Sequence, residues 1–140
     1  MVAVMEVPPA ETGAYGIVTP GKDDGRLVEV AGLVEKPAPE NAPSQLAVVG
    51  RYILDGAIMP RLAQQQTGVG GEIQLTDGIA NMIGQIDVHG FEFSGQRYDC
   101  GSPAGYLEAN IAYSLSPYGT NLGNGLKERL LRVIGQGGQS

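Results

Sequence analysis

Tryptophan is missing from this 140-residue chain, phenylalanine occurs twice, and cysteine and histidine occur once each. A single cysteine, Cys100, excludes an internal disulfide and reads first as a small buried apolar residue in a reducing compartment. With one histidine, His89, and neither a CxxC nor an HExxH pattern, the common zinc sites are excluded. No GxSxG is present, which removes the strained nucleophile turn of the serine hydrolases. Cationic residues are few. Nine Lys and Arg against fifteen Asp and Glu leave a net charge of -6, which argues against a nucleic-acid-binding face. No run approaches the about 18 apolar residues of a membrane span, and no basic segment followed by an apolar one opens the chain as a signal peptide would.

What is present fits a globular α/β chain. Hydrophobic residues make up 42% and charged residues 17%, and the 22 glycines follow no G-X-Y period, so they serve turns and close backbone approaches. Val2 to Val7 reads as a strand that begins in mid-course, as in a piece of something longer. Tyr15 to Val18 reads as a second strand and Gly21 to Gly25 as a polar turn. After it, Val28, Val30 and Val34 alternate with Glu29, Ala31 and Glu35, the period of a strand with one buried face. Leu46 to Leu54 is almost wholly apolar, which predicts a strand buried on both faces. Ile58 and Leu62 mark a short helix, and Leu75, Ile79, Met82, Ile83 and Ile86 recur at the spacing of a longer amphipathic one. Val88 to Tyr98 reads as one or two strands. Ser102-Pro103 is a helix start, with Ser as cap and Pro at the first helical position, and Leu126 to Ile134 makes a last helix. Residues 1–134 are read as one portion of a domain and 135–140 as a disordered tail.

Four features could carry chemistry. Asp99 stands where a strand ends and a capped helix begins, the edge of an α/β sheet at which ligands collect. Its carboxylate suits Mg²⁺ on phosphates, or equally helps cap the helix. Glu35-Lys36-Pro37 closes a strand. Pro37 imposes extended geometry on Lys36, so Glu35 and Lys36 point to opposite sides. The carboxylate can accept two adjacent sugar hydroxyls and the lysine can neutralise a phosphate, or the two are a solvated charge pair. Gly68 to Gln74 is a glycine-rich loop without the ending of a P-loop, and Tyr15-Gly16 can bring a backbone N–H against a ligand.

The order of these pieces is more specific than any one of them. Met5-Glu6-Val7, Tyr15-Gly16-Ile17-Val18, Val34-Glu35-Lys36-Pro37, the run from Pro43 to Leu54, Gly71-Glu72-Ile73-Gln74-Leu75-Thr76-Asp77 and Tyr98-Asp99-Cys100-Gly101 closely resemble, from residue 2 to about residue 113, the C-terminal half of the bacterial UTP–glucose-1-phosphate uridylyltransferases. The resemblance implies a Rossmann-like mixed α/β sheet of the nucleotide-diphospho-sugar transferase type, in its C-terminal part only. It implies a cytoplasmic, homo-oligomeric enzyme that makes UDP-glucose and pyrophosphate from UTP and glucose 1-phosphate, with no nucleic-acid or membrane partner. By motif, Gly16 offers a backbone contact to the glucose, Glu35 binds its hydroxyls, Lys36 contacts the phosphate, and Val48 adds a backbone contact. Tyr52 and Glu72 line the sugar side, and Asp99 is one of two aspartates on Mg²⁺. Lys36 and Asp99 are thus the catalytic pair in this chain.

Two departures accompany the likeness. The Gly-Thr-Arg nucleotide loop and the second aspartate of the family's other half do not occur here, so the chain is expected to be nearly inactive alone. Pro103-Ala104 stands where Lys-Leu is frequent, and Gly78 stands where alanine is usual, a local cost to the helix. A relative of other base or sugar specificity remains an alternative, as does a non-catalytic sugar-phosphate-binding or oligomerisation module. A truncated sheet is further expected to expose edges that invite self-association.

Overall fold

The computed structural model describes residues 1–118 and 125–137. They divide into two compact units, 1–94 and 95–140.

The first unit is built on five strands, β1 (Val2–Glu6), β2 (Gly16–Asp24), β3 (Leu27–Glu35), β4 (Leu46–Tyr52) and β5 (His89–Glu92). Their order is β1-β4-β2-β3-β5, and β5 returns to pair with β1, so the sheet closes on itself. The β1–β5 pair is parallel and the others are antiparallel. The expected open edges are therefore absent among the described strands: each strand has a neighbour on both sides. The mixed sheet with helices against it agrees with the expected α/β class.

Short β-branched side chains fill the interior. Val2, Val4, Val18, Val30, Leu33 and Val48 meet Ile58, Ile79, Met82 and Val88 in one cluster, and Val7, Ile17 and Ala47 form a smaller one. Valine suits a pleated, closed surface because its branch at Cβ stiffens χ1 and packs against cross-strand neighbours. Ser44 fixes the entry to β4, donating its hydroxyl to the Val18 carbonyl (2.6 Å) while accepting from Leu46 N–H (3.0 Å).

Several elements differ from the sequence reading. The expected turn at Gly21–Gly25 is instead mostly strand: β2 runs to Asp24, and only Gly25 (φ 73°) and Arg26 turn. In β3 the alternation breaks. Thr19 pairs with Gly32 and Pro20 with Val30, so Ala31 is an extra residue bulged out of the ladder. Val28 and Val30 face inward before it and Leu33 after it, which leaves Val34 exposed (42%) and turns Glu35 to the inner side. In β4 only Ala47 and Val48 are buried. Gly50 takes φ 75°, and Gly50 to Ile53 is exposed, so the strand is not covered on both faces along its length.

Helix α1 (Ile58–Gln64) packs on α2 (Leu75–Ala80), and α2 lies on β3. The amphipathic period persists to Ile86, but regular α-helix stops at Ala80. Beyond it Met82, Ile83 and Gln85 donate to carbonyls three residues back, tighter turns that keep the apolar side chains inward without an α-helical ladder. Gly78 does more than weaken a helix. A Cβ there would stand 2.6 Å from Leu62 Cδ2 and 3.1 Å from Gln65 Oε1, so its absence sets the α1–α2 approach.

The second unit holds α3 (Pro103–Leu115) and α4 (Leu126–Gly137). Ser102 caps α3, its hydroxyl accepting from Gly105 N–H at 3.0 Å, and Pro103 occupies the first turn as expected. Residues 135–137 continue α4, and the remainder of the expected tail, 138–140, lies outside the described residues. No helix among the described residues is long and apolar enough to cross a membrane.

Candidate functional site

Glu35 and Gly16 are paired residues at the ends of β3 and β2. The bulge at Ala31 turns the Glu35 side chain inward until only 10% of it is exposed. Gly16 is buried opposite, and its lack of a side chain leaves a notch. A Cβ there would lie 2.9 Å from both branch atoms of Thr76 and 3.1 Å from Glu35 Oε2. Three elements thus converge on one point: β2 through Gly16, β3 through Glu35 and α2 through Thr76.

Lys36 follows directly, and its backbone is not extended as expected. At φ 46° it is the one non-glycine residue with positive φ among the described residues, and it precedes Pro37, which disfavours helical ψ there. A tertiary hydrogen bond holds this conformation: Lys36 N–H donates to the Tyr15 carbonyl at 2.9 Å, one step beyond the Gly16–Glu35 pair. The consequence reverses a second expectation. Glu35 and Lys36 do not diverge, and Lys36 Nζ lies 3.9 Å from Glu35 Oε1. That contact is longer than a hydrogen bond, and the lysine side chain is 46% exposed, so the ammonium keeps its capacity for an anion.

Tyr52, at the end of β4, belongs to the same neighbourhood. Although the residue is exposed overall, its phenol is held above the ordinary value of 10.0, first by partial burial and then by the negative charge of Glu35. Val48 sits in the core with its side chain buried, so it has only backbone to offer a ligand. Glu72 is exposed on the glycine-rich loop, where its carbonyl accepts from Gly68 N–H at 2.8 Å. Gly70 and Gly71, both at φ 77°, shape that loop. The Glu72 carboxylate enters no hydrogen bond or ion pair among the described residues.

Asp99 lies in the second unit. Its Oδ1 accepts from Gly101 N–H at 3.0 Å, a local turn, while the helix cap is supplied by Ser102. Capping therefore does not account for Asp99, whose residue is exposed. Cys100 beside it is exposed too, against the expectation of a buried thiol. Among the described residues no three acidic, histidine or cysteine side chains gather as a metal site. A cleft of about 460 Å³ lies elsewhere in the first unit, lined by Lys22, Glu29, Ile83, Asp87 and His89 among others, and none of the predicted residues lines it.

Thr76 was not singled out from the sequence. It lies within the quoted Gly71–Asp77 run, three residues before Ile79, and that helical spacing marks it as a polar residue on the buried face.

The chain is similar to known proteins over most of its length. A family model described as Nucleotidyl transferase matches residues 1–115. The UTP–glucose-1-phosphate uridylyltransferase of Komagataeibacter xylinus is 54% identical over 102 residues, 73% of this chain and 36% of that protein. The enzyme of the same name from Pseudomonas aeruginosa is 49% identical over 115 residues, 81% of this chain and 41% of the relative. Among solved structures, a UDP-glucose pyrophosphorylase complexed with UDP-glucose superposes with a TM-score of 0.76 at 41% identity, covering 80% of this chain and 42% of that one. A UTP-bound UGPase from Acinetobacter baumannii gives 0.76 at 38% identity, covering 93% and 44%. The chain thus spans about 40% of the length of relatives such as the Pseudomonas enzyme.

Proposed function

The chain belongs to the nucleotidyl transferase family, and from that premise we propose that its first unit holds the glucose 1-phosphate of a UTP–glucose-1-phosphate uridylyltransferase. The observation that carries this reading is the placement of an inward carboxylate, Glu35, within 3.9 Å of an exposed ammonium, Lys36, beside the notch at Gly16. A hexose phosphate presents hydroxyls and a dianion side by side, and this pair answers both. Glu35 accepts hydrogen bonds from adjacent hydroxyls. Lys36 offsets the phosphate charge, and the Gly16 backbone lets the ring approach closely.

In the reaction a phosphate oxygen of the sugar attacks the α-phosphorus of UTP and the bond to pyrophosphate breaks. The difficulty is bringing two polyanions together, and the work of these residues is positioning and charge neutralisation. Glu35 orients the ring so that the phosphate oxygen faces its target. Lys36 lowers the repulsion between the phosphates and stabilises the charge of the transition state. Asp99 fits Mg²⁺ as a single hard carboxylate ligand with an oxygen not engaged by Gly101, the mode in which phosphates and water complete the shell. Bound there, the ion supplies further neutralisation of phosphate charge. Tyr52, Val48 and Glu72 are assigned to the sugar side.

Calorimetric titration of the chain with glucose 1-phosphate tests the reading. Lys36→Ala and Glu35→Gln are each expected to weaken binding by about tenfold or more, the scale of a hydrogen bond to a charged partner. Affinity that neither substitution changes would overturn it. With UTP and Mg²⁺ added, pyrophosphate release is expected to stay near background, because the Gly-Thr-Arg nucleotide loop is not among these 140 residues.

A further inference from the structure

Thr76 is 92% covered, its hydroxyl enters no hydrogen bond among the described residues, and its oxygen is not among the enclosed unpartnered atoms, so it stays open to a partner at the notch. It stands at the Gly16 notch with both branch atoms 2.9 Å from the point a Cβ would occupy, and Glu35 Oε2 is 3.1 Å from that same point. Helix α2 holds it there: Gln65 donates its side-chain N–H to the Gln74 carbonyl at 2.9 Å just ahead of the helix, and Ile79 anchors the next turn in the core. We propose that the Thr76 hydroxyl is a further sugar-recognising group, bonding a hexose hydroxyl next to those that Glu35 accepts. The inference rests on the glucose 1-phosphate reading of this site and adds a specificity-determining residue to it.

The chemistry is complementary. An ionised carboxylate only accepts hydrogen bonds, whereas a threonine hydroxyl both donates and accepts. Together they fix the direction of a hydroxyl as well as its position, so a bound hexose lacking or inverting that group would cover the Thr76 hydroxyl and leave it unpaired. Such mismatches discriminate more strongly than a change in apolar contact.

The experiment compares Thr76→Val, which keeps the shape and loses the hydroxyl, with Thr76→Ser, which keeps the hydroxyl. Titrations use glucose 1-phosphate and its series of singly deoxygenated analogues, with thermal melts confirming that each variant folds. Thr76→Val is expected to weaken glucose 1-phosphate about five- to tenfold, one neutral hydrogen bond. Thr76→Ser is expected to stay within about twofold of the parent. One deoxy analogue should bind the parent as weakly as glucose 1-phosphate binds the valine variant, with no further loss when the two changes are combined. Glu35→Gln separates the two layers of the argument. If Glu35→Gln weakens binding and Thr76→Val does not, the Thr76 assignment falls while the site reading stands. If neither matters, or if the parent does not bind the sugar phosphate, both fall.

Discussion

Lys36 is where backbone strain coincides with the proposed phosphate contact. A non-glycine side chain in the left-handed region costs on the order of 1 kcal/mol, and the following proline adds to the constraint. Such outliers persist where the surroundings over-determine them, and here the bond from Lys36 N–H to the Tyr15 carbonyl does so. Lys36→Gly should therefore melt above Lys36→Ala, by about 1 kcal/mol in chemical denaturation, while both lose glucose 1-phosphate. Equal stability of the two variants would show that the backbone is not strained. Gly16 poses the converse case. In Gly16→Ala the new methyl meets Thr76 and Glu35 at 2.9 and 3.1 Å, so we expect a loss of about 1–3 kcal/mol in the same measurement, with weakened sugar binding.

Tyr52 gives a pH dependence with a defined sign. Its phenol is raised above 10.0 in the folded chain, so between that value and the raised one the unfolded chain sheds the proton first. Tyr52 therefore contributes stability below pH 10 that is lost as pH rises through the folded value. Glu35→Gln removes the second of the two causes and should shift the Tyr52 ionisation back toward 10.0, read from tyrosinate absorbance as the difference from a Tyr52→Phe partner.

At the scale of elements, the bulge at Ala31 sets which side chain of β3 reaches the site. It lets Val28 and Val30 share the inner face with Leu33 and Glu35, although the two pairs have opposite parity. Removing the extra residue should preserve this arrangement, because the remaining residues alternate without interruption. Deleting Val34 instead should swing Glu35 outward. We expect the Ala31 deletion to keep glucose 1-phosphate binding and the Val34 deletion to lose about tenfold or more, with circular dichroism verifying both folds.

The same bulge explains what the sequence could and could not show. Ser102-Pro103 announced α3 correctly because capping is local: one hydroxyl, one N–H three residues on and a ring-fixed φ. The sequence pattern does not show the phase of β3 at Val34, because a bulge is a property of two paired strands and its signal lies in the Thr19–Pro20 register rather than in β3 itself. Helix α2 was overextended because successive tight turns reproduce the apolar spacing of a helix. For the candidate site, ordered motifs name Gly16, Glu35 and Lys36, which the fold brings side by side. Thr76 was hidden because its meaning depends on a missing side chain sixty positions away in sequence, a relation with no periodicity to read.

At the scale of the molecule, the first unit carries its own core: every residue of both apolar clusters falls within 1–94, whereas α3 has no buried residue. A chain ending at Ser94 should accordingly unfold cooperatively on heating and keep the tertiary signature of the whole, measured by calorimetry and near-ultraviolet dichroism. Gradual, non-cooperative melting would show that the core needs the second unit.

The closed strand order also sets a timetable. Val2 pairs with Gly90, so β1 cannot complete its pairings until β5 has been synthesised. At ribosomal rates of about 5–20 residues per second, that leaves the two on the order of ten seconds apart. Once β4 has emerged it can pair with β1, but the other side of β1 stays unclaimed until β5 follows, and long-range closure is the slow kind of step. The nascent chain, rather than the finished protein, is the species most exposed to capture by chaperones.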